Sequence, residues 1–205
     1  MNATQILSLD EIGRVLRDFS PPLNPIRWST LIVFRLSCCC GMRRKELCGL
    51  RMADITVDGS RPCITVQPVT TKAVGKKKVR KARMIPLWWD SGTLADLTKW
   101  RAWRLEHGAG TGDPFVCSLS KQSYGKPLTG KLAALRWKTA IKCLGPARVE
   151  QLSVHDGRHT WISQAIAAGH SLVAVRDGAG HSSIATTDIY THLVEEPMLP
   201  DVFAR

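Results

Sequence analysis

The chain has 205 residues and carries 29 Lys and Arg against 17 Asp and Glu, a formal charge of +12 at pH 7. That length suits one domain with a real core and is short for two, and 44% apolar with 22% charged residues excludes extensive disorder. The basic excess favours a polyanionic partner, because each neutralised phosphate releases condensed counterions, but charge alone does not separate DNA from RNA or an anionic membrane.

The start, MNATQILSLDEIGRVL, mixes acids into its apolar pattern and does not read as a secretory leader. Ser8 and Glu11 stand at capping-box spacing ahead of Ile12, Leu16 and Phe19, so a first helix is predicted, ended by Ser20-Pro21-Pro22. A second helix is predicted from Pro25 to about Cys40, with Gly41 as its stop. Its apolar run, residues 31–40, is interrupted by Arg35 and is too short to span a bilayer. A short helix follows over residues 43–50. Residues 55–57 and 63–66 read as two strands joined by the Asp58-Gly59 turn, and 83–87 as a third strand. Helical patterns return over 94–105 and 128–143, with a loop at 108–113 and a break at Gly145-Pro146. Residues 154–194 read as three helices, parted by Gly169 and Gly180. The prediction is a mainly helical α+β domain with a small antiparallel sheet on one side.

Seven cysteines are present, three of them consecutive at 38–40, with no C-x-x-C pair. They are predicted to be small buried hydrophobes in a reducing cytosol rather than metal ligands. The seven tryptophans are expected mainly in core packing or flanking the backbone of a nucleic acid.

Chemistry concentrates in three places. His155-Asp156-Gly157-Arg158-His159-Thr160 puts a histidine and an arginine on one side of a helical turn, where the pair can hold a phosphate from two directions; alone, such a segment is more often a solvated helix end. Gly180-His181 is followed nine residues later by Tyr190. Cys40-Gly41-Met42-Arg43 places an arginine just past a helix-ending glycine, with Glu46 three residues on.

Together these segments resemble the three boxes of the tyrosine recombinases, the phage-integrase type. GMRRKEL resembles the family's GLRxxEL box, HDGRHTW its HxLRHTF box and AGHSSIATTDIYTH its LGHxxxxTTxxYxH box, in the family's order over residues 41–192. The opening LSLDEIGRVL resembles the usual start of the catalytic domain. The resemblance implies one catalytic domain over 1–205, without a preceding core-binding domain, and so either a minimal recombinase of the fimbrial-switch type, a shortened form or a decaying gene. It implies that Arg43, Arg158 and His181 bind the scissile phosphate, that His155 is the base, and that Tyr190 attacks phosphorus to give a 3′-phosphotyrosine, with no need of metal, ATP or another cofactor. The family's acid is a hairpin lysine. Lys72, in TKAVG, matches best and Lys76 is the alternative among seven basic residues from Lys72 to Arg83. Glu46 is expected to pair with Arg43 or orient a neighbouring histidine or arginine. His159 is expected to sit just behind the site, His192 at its edge, and His107 and His170 outside it.

The implied function is site-specific DNA recombination, including integration by a mobile element, on double-stranded DNA, in a cytoplasmic, nucleoid-associated homotetramer and with no membrane. A type IB topoisomerase-like relaxation activity and an inactive DNA-binding regulator are the alternatives. The tail, about 195–205, is expected to pack on a neighbouring protomer. The chain departs from the family pattern at Gly157, Ala179 and Cys40. Gly157 stands where an apolar residue is usual and is expected to loosen its helix start.

Overall fold

The computed structural model describes residues 6–20, 24–68, 70–73, 76–79, 82–181 and 183–191, with backbone alone for 70–73 and 76–79. The first helix, α1 (Leu9–Asp18), begins where its capping pair dictates. The Glu11 N–H donates to Ser8 Oγ at 3.2 Å and the Ser8 N–H donates to Glu11 Oε2 at 2.9 Å. Arg148 then grips the same carboxylate, 2.6 Å from Nε to Oε1, and ties this cap to a helix far along the chain.

The second helix, α2 (Pro25–Phe34), reaches the expected end near Cys40, but its last turn, Arg35–Cys39, is a π-helix. Ser37 Oγ donates back to the carbonyls of Val33 and Phe34, at 2.8 and 3.1 Å, and so competes for the ordinary helical acceptors. Arg35 is fully buried in this turn. Its guanidinium meets Asp96 at 2.9 Å, Asp90 at 3.7 Å and the Thr93 hydroxyl at 3.2 Å. Those partners belong to the start of α4 (Ser91–Glu106), whose N-cap is Asp90; the cap starts this helix three residues ahead of its apolar pattern.

Between them lie α3 (Arg44–Gly49) and the strands. Strands β1 (Ile55–Thr56), β2 (Cys63–Val66) and β5 (Arg83–Pro86) form an antiparallel sheet in the order β1-β2-β5, with Ile64 opposite both Ile55 and Ile85. These three isoleucines point to the core together, as the period of two requires. The basic segment before β5 forms a separate ribbon of β3 (Thr70–Ala73) and β4 (Lys76–Val79), with Lys72 opposite Lys77.

The remaining helices are α5 (Gly130–Ala140), α6 (Pro146–Gln151), α7 (Val154–Ala167), α8 (Leu172–Ala179) and α9 (Ala185–Asp188). Helix α6 departs from the sequence reading, which took Gly145-Pro146 only as a break. Gly145 at φ 93° does end the preceding turn, yet Pro146 at the first helical position starts a new helix. The main core joins α1, α2, α5 and the sheet; a smaller cluster holds Trp161, Ile162, Val175, Ala179 and Tyr190. Trp100 and Trp137 are fully buried and Trp161 nearly so, whereas Trp88 is exposed. Cys38, Cys39, Cys40 and Cys117 are buried and all seven thiols are free. Burial pushes the Cys38 and Cys40 thiols well up, which keeps them from ionising. Among the described residues no helix is long and apolar enough to cross a membrane.

The Arg35 cluster makes a direct test of this packing. Arg35→Leu leaves Asp90 and Asp96 buried without their cation and is expected to lower unfolding free energy by roughly 3–5 kcal/mol. Urea denaturation measures it, and a loss below about 1 kcal/mol would show that the two carboxylates find other partners.

Candidate active site

The site is assembled on the last turn of α8. A helix end leaves its final carbonyls without intrahelical donors. Here three consecutive carbonyls each take one guanidinium: Arg83 Nε donates to Gly178 O at 2.7 Å, Arg158 Nη2 to Ala179 O at 2.6 Å, and Arg43 Nη2 to Gly180 O at 3.2 Å. Gly180 closes the helix in the left-handed conformation, φ 66° and ψ 44°, a geometry that favours glycine. The negative end of the helix dipole thus faces three cations.

Each arginine has a second anchor. Arg158, 2% exposed, donates from Nη1 to Gly41 O at 2.6 Å. Arg43 and Arg83 share Glu46. The carboxylate accepts from the Arg43 N–H at 2.8 Å and Arg43 Nη1 at 2.9 Å, and it takes a two-pronged contact from Arg83 Nη1 and Nη2 at 2.9 and 2.8 Å. Glu46 is buried, which alone would raise its pKa, but the two arginines overcome burial and hold it down at about 2. The expected pairing of Glu46 with Arg43 is present. Arg83 was not singled out from sequence. Its signal was hidden in a run of basic residues, and only the strand pairing of β5 aims it at Glu46.

Arg158 is pulled down to about 9 by burial and by the guanidiniums of Arg43 and Arg83. It stays charged at neutral pH, in an environment that an added anion would relieve.

The histidines divide by role. His181 follows the α8 cap, and its Nδ1 lies 2.9 Å from the buried Thr187 hydroxyl of α9, which sets the ring's orientation. His159 Nδ1 lies 2.5 Å from the Tyr190 hydroxyl. His155, one helical turn before His159, packs edge-on against it with ring centroids 4.5 Å apart. Burial first, then neighbouring positive charge, depresses His155 and holds His159 and His181 near 4. All three are therefore neutral at pH 7. Tyr190 is 3% exposed and docked inside its own domain, its ring 5.7 Å from His159 and 6.5 Å from His181. Burial raises its phenol, so it needs a proton acceptor to become a nucleophile at neutral pH.

Of the residues predicted from sequence, Arg43, His155, Arg158, His181 and Tyr190 come together around this turn. Lys72 and Lys76 have backbone positions on β3 and β4, but their side chains lie outside the described residues, as do His192 and the tail from 195. His170 stacks on Trp89 at 3.8 Å and His107 on Trp103 at 4.1 Å, away from the guanidiniums.

Gly157 corrects an expectation. It does not loosen α7, which carries a complete cap at Ser153 and Asp156 and runs unbroken to Ala167. A Cβ there would lie 2.7 Å from the Trp137 ring and 3.3 Å from the Ser37 backbone. The glycine admits the tryptophan and lets α7 approach the π turn. Gly41 and Gly178 yield to Trp161 in the same way.

An open cavity of about 460 Å³ adjoins the arginines, lined by Arg43, Arg44, Lys45, Lys138, Ser153 and His155 among others. The buried Arg158, the partly exposed Arg43 and Arg83, the adjoining basic cavity and the docked Tyr190 form an arrangement that could hold an anion such as a phosphate near a phenol.

Comparison with known proteins places that arrangement in a family. Residues 5–196 match the sequence profile of the phage integrase family, and the chain belongs to that family. It is 30% identical over 200 residues to the tyrosine recombinase XerC of Xanthomonas axonopodis pv. citri, covering 92% of this chain and 54% of the relative. It is 29% identical over 153 residues to XerC of Xylella fastidiosa strain 9a5c, covering 75% and 45%. The chain spans about half the length of the curated relatives it matches. In fold it resembles the crystal structure of XerA recombinase, at TM-score 0.67 and 22% identity over 93% of this chain and 59% of that one. It also resembles XerH recombinase in a post-cleavage complex with palindromic difH substrate, at 0.68 and 21% over 95% and 51%.

Two outcomes follow from this geometry. Gly157→Ala should destabilise by about 1–3 kcal/mol through overpacking, and Trp137→Leu added to it should recover part of the loss in a thermal melt; additive losses would contradict the contact. For pH, His159 and His181 have folded pKa values near 4, below the ordinary 6.5. The unfolded chain therefore binds more protons between those values, so this contribution is full above pH 6.5 and is lost as pH falls towards 4. Glu46 follows the same sign lower down, from the ordinary 4.5 to about 2. Melting temperature should drop from pH 7 to 4, less steeply in His181→Gln; a flat profile would contradict the neutral histidines.

Proposed function

We propose that the chain cuts and rejoins DNA strands through a 3′-phosphotyrosine, as the catalytic domain of a site-specific recombinase or integrase. The observation that carries this is the convergence of Arg43 and Arg158 on one helix end beside a docked Tyr190. Each guanidinium is held by protein carbonyls or a carboxylate on one side, and planar N–H pairs of this kind suit two-point recognition of phosphoryl oxygens. Held in place before substrate arrives, they stabilise the charge of a pentavalent phosphorane without reorganising. His181, oriented by Thr187, adds a neutral donor. Tyr190 Oη attacks phosphorus, the P–O5′ bond breaks, and Lys72 on the β3 strand supplies the proton that the leaving 5′-oxygen needs. A second 5′-hydroxyl reverses the step on the same or a new partner. The Tyr190 proton goes to a neutral histidine of α7, either His155 or His159, whose rings pack edge-on against each other.

Double-stranded DNA is the substrate that the charge favours. The +12 excess of the chain, the cavity edged by Arg44, Lys45 and Lys138, and the lysines in the sequence of the β3–β4 ribbon all favour a polyanion. Strand exchange requires paired sites, so the working assembly is a tetramer on DNA.

A nicked duplex that traps the cleaved strand tests the reading on a denaturing gel. A covalent protein–DNA adduct should form with the wild-type chain and vanish in Tyr190→Phe. Binding should weaken steeply with salt, log K falling linearly with log salt at a slope near −0.9 per phosphate contacted. Absence of adduct across candidate sites, together with salt-insensitive binding, would contradict the proposal.

A further inference from the structure

We propose that His159 is a catalytic residue, the group that takes the proton from Tyr190 during attack. The inference rests on the strand-transfer reading and assigns a step within it.

Geometry selects His159. Its Nδ1 lies 2.5 Å from the Tyr190 hydroxyl, and the two rings are close to parallel at 26°. His155 is exposed and touches the pair only through its edge-on contact with the His159 ring. A base must reach the proton it abstracts, and His159 already does. For Tyr190 to donate, Nδ1 must hold the lone pair and Nε2 the proton.

The groups facing His159 explain when it acts. Burial, His155 and Arg158 keep it neutral, with Asp156 opposing them. In the free protein it is thus a weak base, and Tyr190 stays a phenol. A bound phosphate would place negative charge beside Arg158 and Arg43 and cancel part of that positive field, so the basicity of His159 rises with substrate in place. The nucleophile is thereby activated only against a seated phosphate. The step balances: the Tyr190 O–H bond breaks, its proton moves to His159 Nδ1, the oxygen forms the bond to phosphorus, and the P–O5′ bond breaks as the 5′-oxygen takes its proton from the acid. In the reverse reaction His159 returns the proton to the departing tyrosine.

The experiment measures single-turnover cleavage of the trapping duplex by the full chain. It uses wild type, His159→Gln and His159→Leu, each with Tyr190 or with 3,5-difluorotyrosine at that position. Glutamine can accept the hydrogen bond from Tyr190 but cannot take its proton. His159→Gln should therefore be slowed by about 10²-fold or more, and the more acidic difluorophenol should recover most of the loss in both variants. Wild-type cleavage by His159→Gln, or an equal loss with both phenols, would show that the ring only packs against Tyr190 and would overturn the inference. Should His159→Leu not fold, the glutamine pair alone decides. No adduct with the wild-type chain itself would bring down the strand-transfer reading and this inference with it, a result distinct from a normal wild type and an unaffected variant.

Discussion

Everything in the site depends on the open end of helix α8. Three successive carbonyls there, from Gly178, Ala179 and Gly180, would be orphaned by helix geometry alone. Three arginines from three distant parts of the chain satisfy them. The contact is reciprocal. The helix end gains donors and a favourable dipole interaction, and the guanidiniums gain fixed positions. One turn of backbone therefore sets the spacing between the cations.

Three cations so close repel one another, and the surroundings limit the cost. Glu46 neutralises part of the charge by gripping Arg43 and Arg83 together, with its pKa near 2. The three histidines at the site stay uncharged. What remains is a positive field with donors fixed in place, whose natural complement is one anion. The same positive field suppresses proton uptake by the histidines, and in the proposed reaction a bound phosphate would relieve it.

The packing behind the arginines is set by two tryptophans. Trp161 lies against Gly41 and Gly178, so the loop that presents Arg43 and the end of α8 close on the same ring. Trp137 occupies the space over Gly157 and brings α7, which carries Arg158 and His159, against the π turn. The glycines in these segments are thus absences of a Cβ that the rings require. The π turn is locked in turn by Arg35 to the cap of α4. A chain of contacts runs from a buried ion pair to the arginines at the end of α8.

Much was legible in the sequence, for a physical reason. Helix starts and turns rest on local chemistry, so Ser8 with Glu11 located α1, and the Asp58-Gly59 turn between two short apolar runs located β1 and β2. The Arg43, His155, Arg158, His181 and Tyr190 set was also readable, because those residue types sit in short, spaced segments. Helix α6 was not, since Gly145-Pro146 ends one helix and begins another with the same two residues. Nor was the meaning of Gly157, which lies in a ring twenty residues earlier in the chain. By itself the sequence determined the family's chemical groups and the helical frame that carries them. Only the tertiary structure decided that Arg83 shares Glu46 with Arg43, that Tyr190 is docked, and that His159 rather than His155 touches it. Those facts depend on which side chains meet across long stretches of chain, and close packing, not local pattern, makes that choice.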